Sequence, residues 1–456
     1  MERKKQMAEK SILDVLENYK NANTVRFHMP SHKGKNTGSF LDPILTYDVT
    51  ELDMTDDFFR PKEDGGVLAS FRRASSMFGT ANTVYSAGGA TLCLQTALCA
   101  ALRKSSSRTV VCDRRAHMSV INALALLGAE PRWFFPGEAP DLTDAAAMLI
   151  TSPNYYGECA DISVYAKQCQ ERGIPLITDN SHGSHLAFTD GGNLHPYKLG
   201  SSLVIDSVHK TLPSMTGAAL LHSSDEFTLD ELLSAMSLFS STSPSYIILS
   251  SIDAGLDYIE KHGKERFAYL KEKICSLKST LTDNGYEIPS FKISDPLRLT
   301  LKCANAEELY AYLTENGVIP EFCDSENVVF IPSIMNNDGD FEKLERLCLN
   351  FKPQPTAAAE NNTRVTIPKK KISIREAVIS PRKRILTEDC EGCIAAGPIV
   401  PYPPGIPLVM PGEYIDAFLQ NEILSRRITY VEIVCQNNNI PIKFPAKSNS
   451  RRKKKL

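Results

Sequence analysis

The chain has 456 residues, enough to bury a large core and to build two or three domains. Its 51 basic and 54 acidic side chains leave a formal charge of −3, which gives no electrostatic basis for binding nucleic acid. No apolar run reaches the roughly 18 residues of a membrane-spanning helix, so no membrane span is expected. Twelve cysteines are scattered, with Cys93, Cys99 and Cys112 inside apolar stretches, a usage that fits reduced core thiols of a cytoplasmic protein.

Residues 1–30 run from a charged start into an amphipathic helix around Ile12, Val15 and Leu16, without the apolar core of a secretion signal. Arg26 through Gly34 reads as a polar loop, and the spacing of His28, His32 and Lys33 fits no common metal-ligand pattern. From 83 to 222, short apolar runs alternate with helical segments. Strands are predicted at 83–86, 108–112, 130–134 and 147–151, then at runs ending in Asp179 and opening at Leu203; helices are predicted at 92–102, 119–127 and 162–172. This alternation predicts an α/β large domain, 31–285, with a mostly parallel sheet covered by helices on both faces. Helices over 247–261 and 264–284 lead to a smaller α/β domain, 286–351, with strands near 298–302 and 328–331. A linker (352–363), a C-terminal domain (364–445) and a basic tail (446–456) complete the chain. Cys390-Glu391-Gly392-Cys393 lacks the second pair that would complete a structural zinc site.

Two strand ends carry the chemistry. The run from Leu203 ends in Ser207-Val208-His209-Lys210, and a lysine delivered to the crevice of an α/β sheet is either a snorkelling surface residue or a nucleophile for a carbonyl cofactor. The run before it ends at Asp179. Pyridoxal phosphate requires a lysine for the Schiff base and a carboxylate that keeps its pyridine nitrogen protonated, and Lys210 and Asp179 supply both. Gly88-Gly89-Ala90-Thr91 opens a helix, where backbone N–H groups and the helix dipole favour a phosphate; an ordinary strand–helix turn has the same pattern. Asp179, His182 and His185 have a spacing that also reads as a metal triad. Ser207 and Lys210 match the Ser-x-x-Lys of serine acyl-transfer enzymes, but the companion Ser-Asp-Asn and Lys-Thr-Gly elements are absent.

With these residues in place the chain resembles the short-form decarboxylases of ornithine, lysine and arginine, which are fold-type-I pyridoxal-phosphate enzymes. The resemblance covers 27–413. It runs through the His28–Lys33 loop (with Ser31 where glycine is usual), the Gly89 turn, Arg114 to Ser119, the Asp179 and Lys210 segments, Ser241-Thr242-Ser243-Pro244, and Pro401-Tyr402-Pro403-Pro404-Gly405-Ile406-Pro407 with Pro411-Gly412-Glu413. It implies an aspartate-aminotransferase-like large domain and decarboxylation of a basic amino acid to an amine, a polyamine precursor, and carbon dioxide. By the same resemblance Lys210 carries the cofactor, Asp179 meets its ring nitrogen, Ser181 and His117 lie against its ring, and Gly89, Ala90, Thr91 and Ser207 hold its phosphate. His209 abuts the lysine link, His182 lies near the substrate, and Glu413 meets the substrate's cationic end. Thr242 and Ser243 reach the phosphate of a second subunit, which implies a homodimer with shared sites. Ala90, Met118 and Gly217 depart from the family pattern. Another fold-type-I reaction, such as transamination, or a non-catalytic relative are the alternatives.

Overall fold

The computed structural model describes residues 10–22, 24–135, 137–356, 367–401, 407–436 and 440–442. The basic tail, the centre of the proline motif (402–406) and much of the expected linker lie outside the described residues. The apolar runs become strands β1 (Asn82–Ser86), β2 (Thr109–Asp113), β3 (Glu130–Phe134), β4 (Ala145–Thr151), β5 (Leu176–Asp179), β6 (Leu203–Asp206) and β7 (Ala219–Ser223). The chain divides into two compact units, one of residues 1–107 and 142–357, the other of 108–141 and 358–456.

In the first unit the strand order is β1-β7-β6-β5-β4. β4, β5 and β6 are parallel, and every residue of them except Thr151 is buried. Burial on both faces explains why these strands read as continuous apolar runs instead of alternating ones. β7 is antiparallel to β6 and to β1. The sequence pattern could not show this reversal. Between β6 and β7 lies only a segment whose sole helix is the four-residue Val208–Thr211, not the long crossover helix that usually returns a chain parallel.

A single helix, Tyr246–Asp283, replaces the two helices expected over 247–261 and 264–284. Gly263 does not break it, because the buried stripe Leu256, Ile259, Gly263, Phe267, Leu270 and Ile274 passes through that position at helical spacing. Three antiparallel strands, β8 (Leu299–Lys302), β9 (Phe322–Cys323) and β10 (Asn327–Phe330), form a small sheet in the order β8-β10-β9 that belongs to the first unit.

The second unit holds the parallel pair β2 and β3 and an antiparallel sheet of β11 (Arg382–Leu386), β12 (Tyr430–Gln436) and β13 (Ile440–Pro441). Residues 108–141, expected within the large domain, group with the C-terminal segment. Arg375 caps their helix Met118–Leu127 by donating from Nη1 to the carbonyls of Ala125 (3.0 Å) and Leu126 (2.7 Å), a tie across some 250 residues that periodicity cannot reveal. Cys390 and Cys393 are fully buried with Ile399, Val409, Ile423 and Ile433. Burial pushes the Cys390 thiol up to about 11, so the pair packs as apolar thiols. Among the described residues no helix is long and apolar enough to cross a membrane.

The N-terminal helix Ile12–Asn21 is tied to the first unit through one buried carboxylate. Asp253 accepts hydrogen bonds from the Leu13 N–H (3.2 Å), the Ser70 hydroxyl (2.8 Å) and the Tyr85 hydroxyl (2.8 Å). Burial outweighs those bonds and raises its carboxyl from 3.8 to about 6. The folded chain therefore keeps a proton there that the unfolded chain has already released. That stability, on the order of 3 kcal/mol, is complete below about pH 4 and is lost as the pH rises through about 6. Asp253→Asn is expected to remove this part of the pH dependence, read as the difference in thermal midpoint between about pH 4.5 and about pH 7 against the unsubstituted chain.

Candidate active site

The parallel register of β5 and β6 sets Asp179 opposite Ile205, so the residues after both strands emerge together at the C-terminal edge of the sheet. Asp179 is buried, and its Oδ1 accepts from the Ser181 hydroxyl and backbone N–H. Its Oδ2 carries no hydrogen bond among the described residues. Ser181 thus orients the carboxylate and leaves one oxygen for a ligand.

Behind this edge stands a cluster that sequence reading missed. Asn180 Nδ2 donates to Asp206 Oδ1 (2.5 Å), while Asp206 Oδ2 lies 3.2 Å from His195 Nε2 and 3.3 Å from His222 Nε2. Thr83 Oγ1 is 2.9 Å from His222 Nδ1. Burial opposes ionisation of Asp206, yet the two imidazoles outweigh it and hold the carboxyl well below the usual carboxylate range. Nothing in the spacing of 195, 206 and 222 signals this grouping. The Asp179, His182 and His185 triad does not assemble as a metal site; His185 Nε2 instead lies 2.8 Å from Asp295 Oδ1.

Lys210 sits on the one-turn helix Val208–Thr211 with its Nζ 3.1 Å from His182 Nε2. Burial lowers its amine below the ordinary lysine value, opposed by Asp179 and Glu321 and reinforced by Arg298. An amine that holds its proton less tightly is closer to the neutral form that attacks a carbonyl. His182 is buried against the Tyr155 ring, with centroids 4.3 Å apart. His209 donates from Nδ1 to the Ala218 carbonyl (2.9 Å), which leaves Nε2 as its acceptor. Ser207 is buried at the end of β6.

The glycine turn departs from a regular helix start. Gly89 has a φ of +67°, where an L side chain is strained, although an added Cβ would meet nothing within 4 Å. Its N–H is taken by the Gly217 carbonyl (2.8 Å). The next N–H groups, of Ala90 and Thr91, have no acceptor among the described residues and open the helix Gly89–Arg103. Gly217, which departs from the family pattern, and Ala218 therefore serve through their carbonyls, one holding the glycine turn and the other His209.

These residues fit pyridoxal phosphate. Lys210 offers the covalent anchor, Asp179 a free carboxylate oxygen, and Ala90 and Thr91 free amides on a helix dipole. The remaining predicted residues lie on other elements. His117 belongs to the second unit, is exposed, and caps the helix Met118–Leu127 with Nδ1 2.9 Å from Ser119 Oγ. Thr242 and Ser243 are exposed ahead of the helix Tyr246–Asp283.

A mixed α/β sheet with a lysine and an aspartate at adjacent strand ends is the mark of a fold-type-I pyridoxal-phosphate enzyme. The chain belongs to the Orn/Lys/Arg decarboxylase family, matching its major domain over 11–141 and 137–302 and its C-terminal domain over 357–441. It is a pyridoxal-phosphate-dependent decarboxylase of basic amino acids. It is 29% identical over 440 residues to the "Uncharacterized protein YaaO" of Bacillus subtilis, covering 86% of this chain and 89% of that one. It is 25% identical over 442 residues to the "Arginine decarboxylase" of the same organism, covering 86% and 88%. In fold it is similar to the constitutive lysine decarboxylase of Escherichia coli, with a TM-score of 0.74 at 16% identity over 93% of this chain and 81% of that one.

Glu413, expected at the substrate's cationic end, is otherwise engaged. It is buried in the second unit, where its Oε1 accepts from Arg114 Nη1 (2.8 Å) and its Oε2 from Arg114 Nη2 (2.6 Å) and the Met410 N–H (2.7 Å). Arg114 is fully buried and also donates to the carbonyls of Pro407 and Leu408, both at 3.0 Å. Removing one partner strands a buried charge, so Glu413→Ala is expected to destabilise by about 3–5 kcal/mol in urea unfolding. The double replacement Arg114→Met with Glu413→Leu is expected to cost less than Glu413→Ala alone.

Proposed function

We propose that the amino acid decarboxylated is arginine, and that the protein works as a cytoplasmic homodimer making an amine precursor of polyamines. The observation that carries the catalytic reading is the convergence of Asp179, His182 and Lys210 at one sheet edge, with the Lys210 amine 3.1 Å from His182. The arginine assignment is supported by the similarity to the Bacillus subtilis arginine decarboxylase along most of both chains. All twelve cysteines are free, which suits a reducing compartment. The homodimer is supported by apolar side chains left in solvent: Phe27 and Phe40 are 95% and 90% exposed. Exposed Thr242 and Ser243 are free to reach a second copy's phosphate.

In this reading Lys210 would anchor the cofactor, Asp179 would pair with its ring nitrogen, and the amides of Ala90 and Thr91 with the Ser207 hydroxyl would hold its phosphate. Pyridoxal phosphate, when bound, supplies the sink for the electron pair left as the bond from Cα to the carboxylate breaks. Carbon dioxide leaves and one proton replaces it at Cα. Lys210, with its lowered affinity for protons, or His209 once its Nε2 has taken up a proton, stands ready to deliver it. His182 fixes the lysine's position before the substrate arrives.

The test is the absorbance spectrum of the purified protein before and after borohydride, repeated for Lys210→Ala. A band near the visible edge, and a borohydride-stable mass addition at Lys210, are expected in the unsubstituted protein and absent from the variant. Carbon dioxide release should be fastest from arginine among arginine, lysine and ornithine; a higher kcat/KM for another would reassign the substrate. No band with added cofactor would instead mark a non-catalytic relative.

A further inference from the structure

Arg298 precedes β8 in the first unit, is 3% exposed, and has no task in the reading above. Its Nη2 donates to the His182 carbonyl (3.0 Å), but its Nε and Nη1 are buried without a hydrogen-bond partner among the described residues. Asp295 does not fill them. Its Oδ1 is taken by His185 (2.8 Å) and the Leu297 N–H (2.9 Å), and its Oδ2 stands 3.7 Å from Nη2, beyond hydrogen-bond reach. Each edge of the guanidinium fork therefore keeps an unused donor.

The fold makes room for this side chain. Gly157 has a φ of +94°, and a Cβ added there would lie 2.6 Å from Arg298 Cβ. The His182 main chain that Arg298 holds carries the imidazole 3.1 Å from Lys210 Nζ and 4.3 Å from the Tyr155 ring. The charge of Arg298 acts on both Lys210 and Tyr155. A buried cation with open donors thus borders the reacting lysine. Asp295, 3.7 Å away, balances the charge, but buried donors without acceptors remain costly, and a carboxylate would satisfy them.

We propose that Arg298 binds the α-carboxylate of the substrate, an inference that rests on the decarboxylase reading. The substrate's amino nitrogen must reach the place of Lys210 Nζ, which brings its carboxylate, the only anion it carries, within a few bonds of that point. A guanidinium edge presents two N–H groups to two carboxylate oxygens, a charge-assisted contact that holds the bound substrate. Cleavage removes the charge that Arg298 holds, so the product amine loses the contact and leaves. Because the contact is made with the bound substrate, it acts on KM more than on kcat.

The test uses the cofactor-loaded protein with Arg298→Met and Arg298→Lys. Arg298→Met is expected to raise KM for the amino acid about 10- to 100-fold, with a smaller change in kcat. The inhibition constant of the product amine, which has no carboxylate, is expected to move less than about threefold. Arg298→Lys should recover part of the loss. Equal weakening of amino acid and amine, or an unchanged KM, overturns the proposal. If Arg298→Met does not keep the cofactor band, the same comparison with Arg298→Lys decides. If the unsubstituted protein releases no carbon dioxide from any basic amino acid, the decarboxylase reading falls. Titration of the cofactor absorbance with amino acid and with amine still measures the carboxylate's contribution in that case.

Discussion

The site depends on the parallel pairing of β5 with β6. That register places Asp179 beside the strand that leads to Lys210, with Asn180 held from behind by Asp206. Asp206 is fully buried, and His195 and His222 at its Oδ2 hold the carboxyl well below the usual carboxylate range against that burial. A rigid, charged block beneath the sheet edge thus fixes the separation of a carboxylate and an amine that the cofactor must span. Placement by strands, not loops, suits groups that must hold their geometry through a reaction.

Around this edge the chain carries buried charge in an ordered way. Asp206 and Glu413 are each satisfied by named partners, as deep carboxylates must be. Arg298 is the departure, a deep cation with donors to spare beside the lysine. Natural chains concentrate such unfilled polar groups at functional sites. The altered family positions follow the same logic of compensation. Gly217 and Ala218 contribute backbone carbonyls, so the loss of the family pattern at Gly217 leaves the glycine turn and His209 in place.

Much of the fold was legible because burial writes itself into composition. The helix over 162–172 and the strand over 130–134 carry the bounds the pattern predicts, and the strands of the central sheet appear within a residue or two of their apolar runs. The two helices expected on either side of Gly263 are one, because a glycine inside a helix pattern looks like a break until its buried stripe is known to continue. Contacts such as Arg375 with Leu126 link residues far apart in the chain, so the compact unit that 108–141 forms with 358–456 is not legible in periodicity. The Asp206 trio and Arg298 were invisible for the same reason.

What the sequence by itself determined is the chemistry on offer: an apolar strand ending in Asp179, another leading to Lys210, and a glycine turn ahead of a helix. Chain-local properties, namely hydrophobic run length and the presence of a nucleophile and a carboxylate at strand ends, are enough for that. Only the tertiary structure decided which groups meet. It placed His182 on the Lys210 amine, gave Glu413 to Arg114, turned β7 against β6, and left Arg298 unfilled. Those outcomes depend on contacts between distant residues, whose cost or gain arises from burial and shared partners and is therefore set by the folded core as a whole.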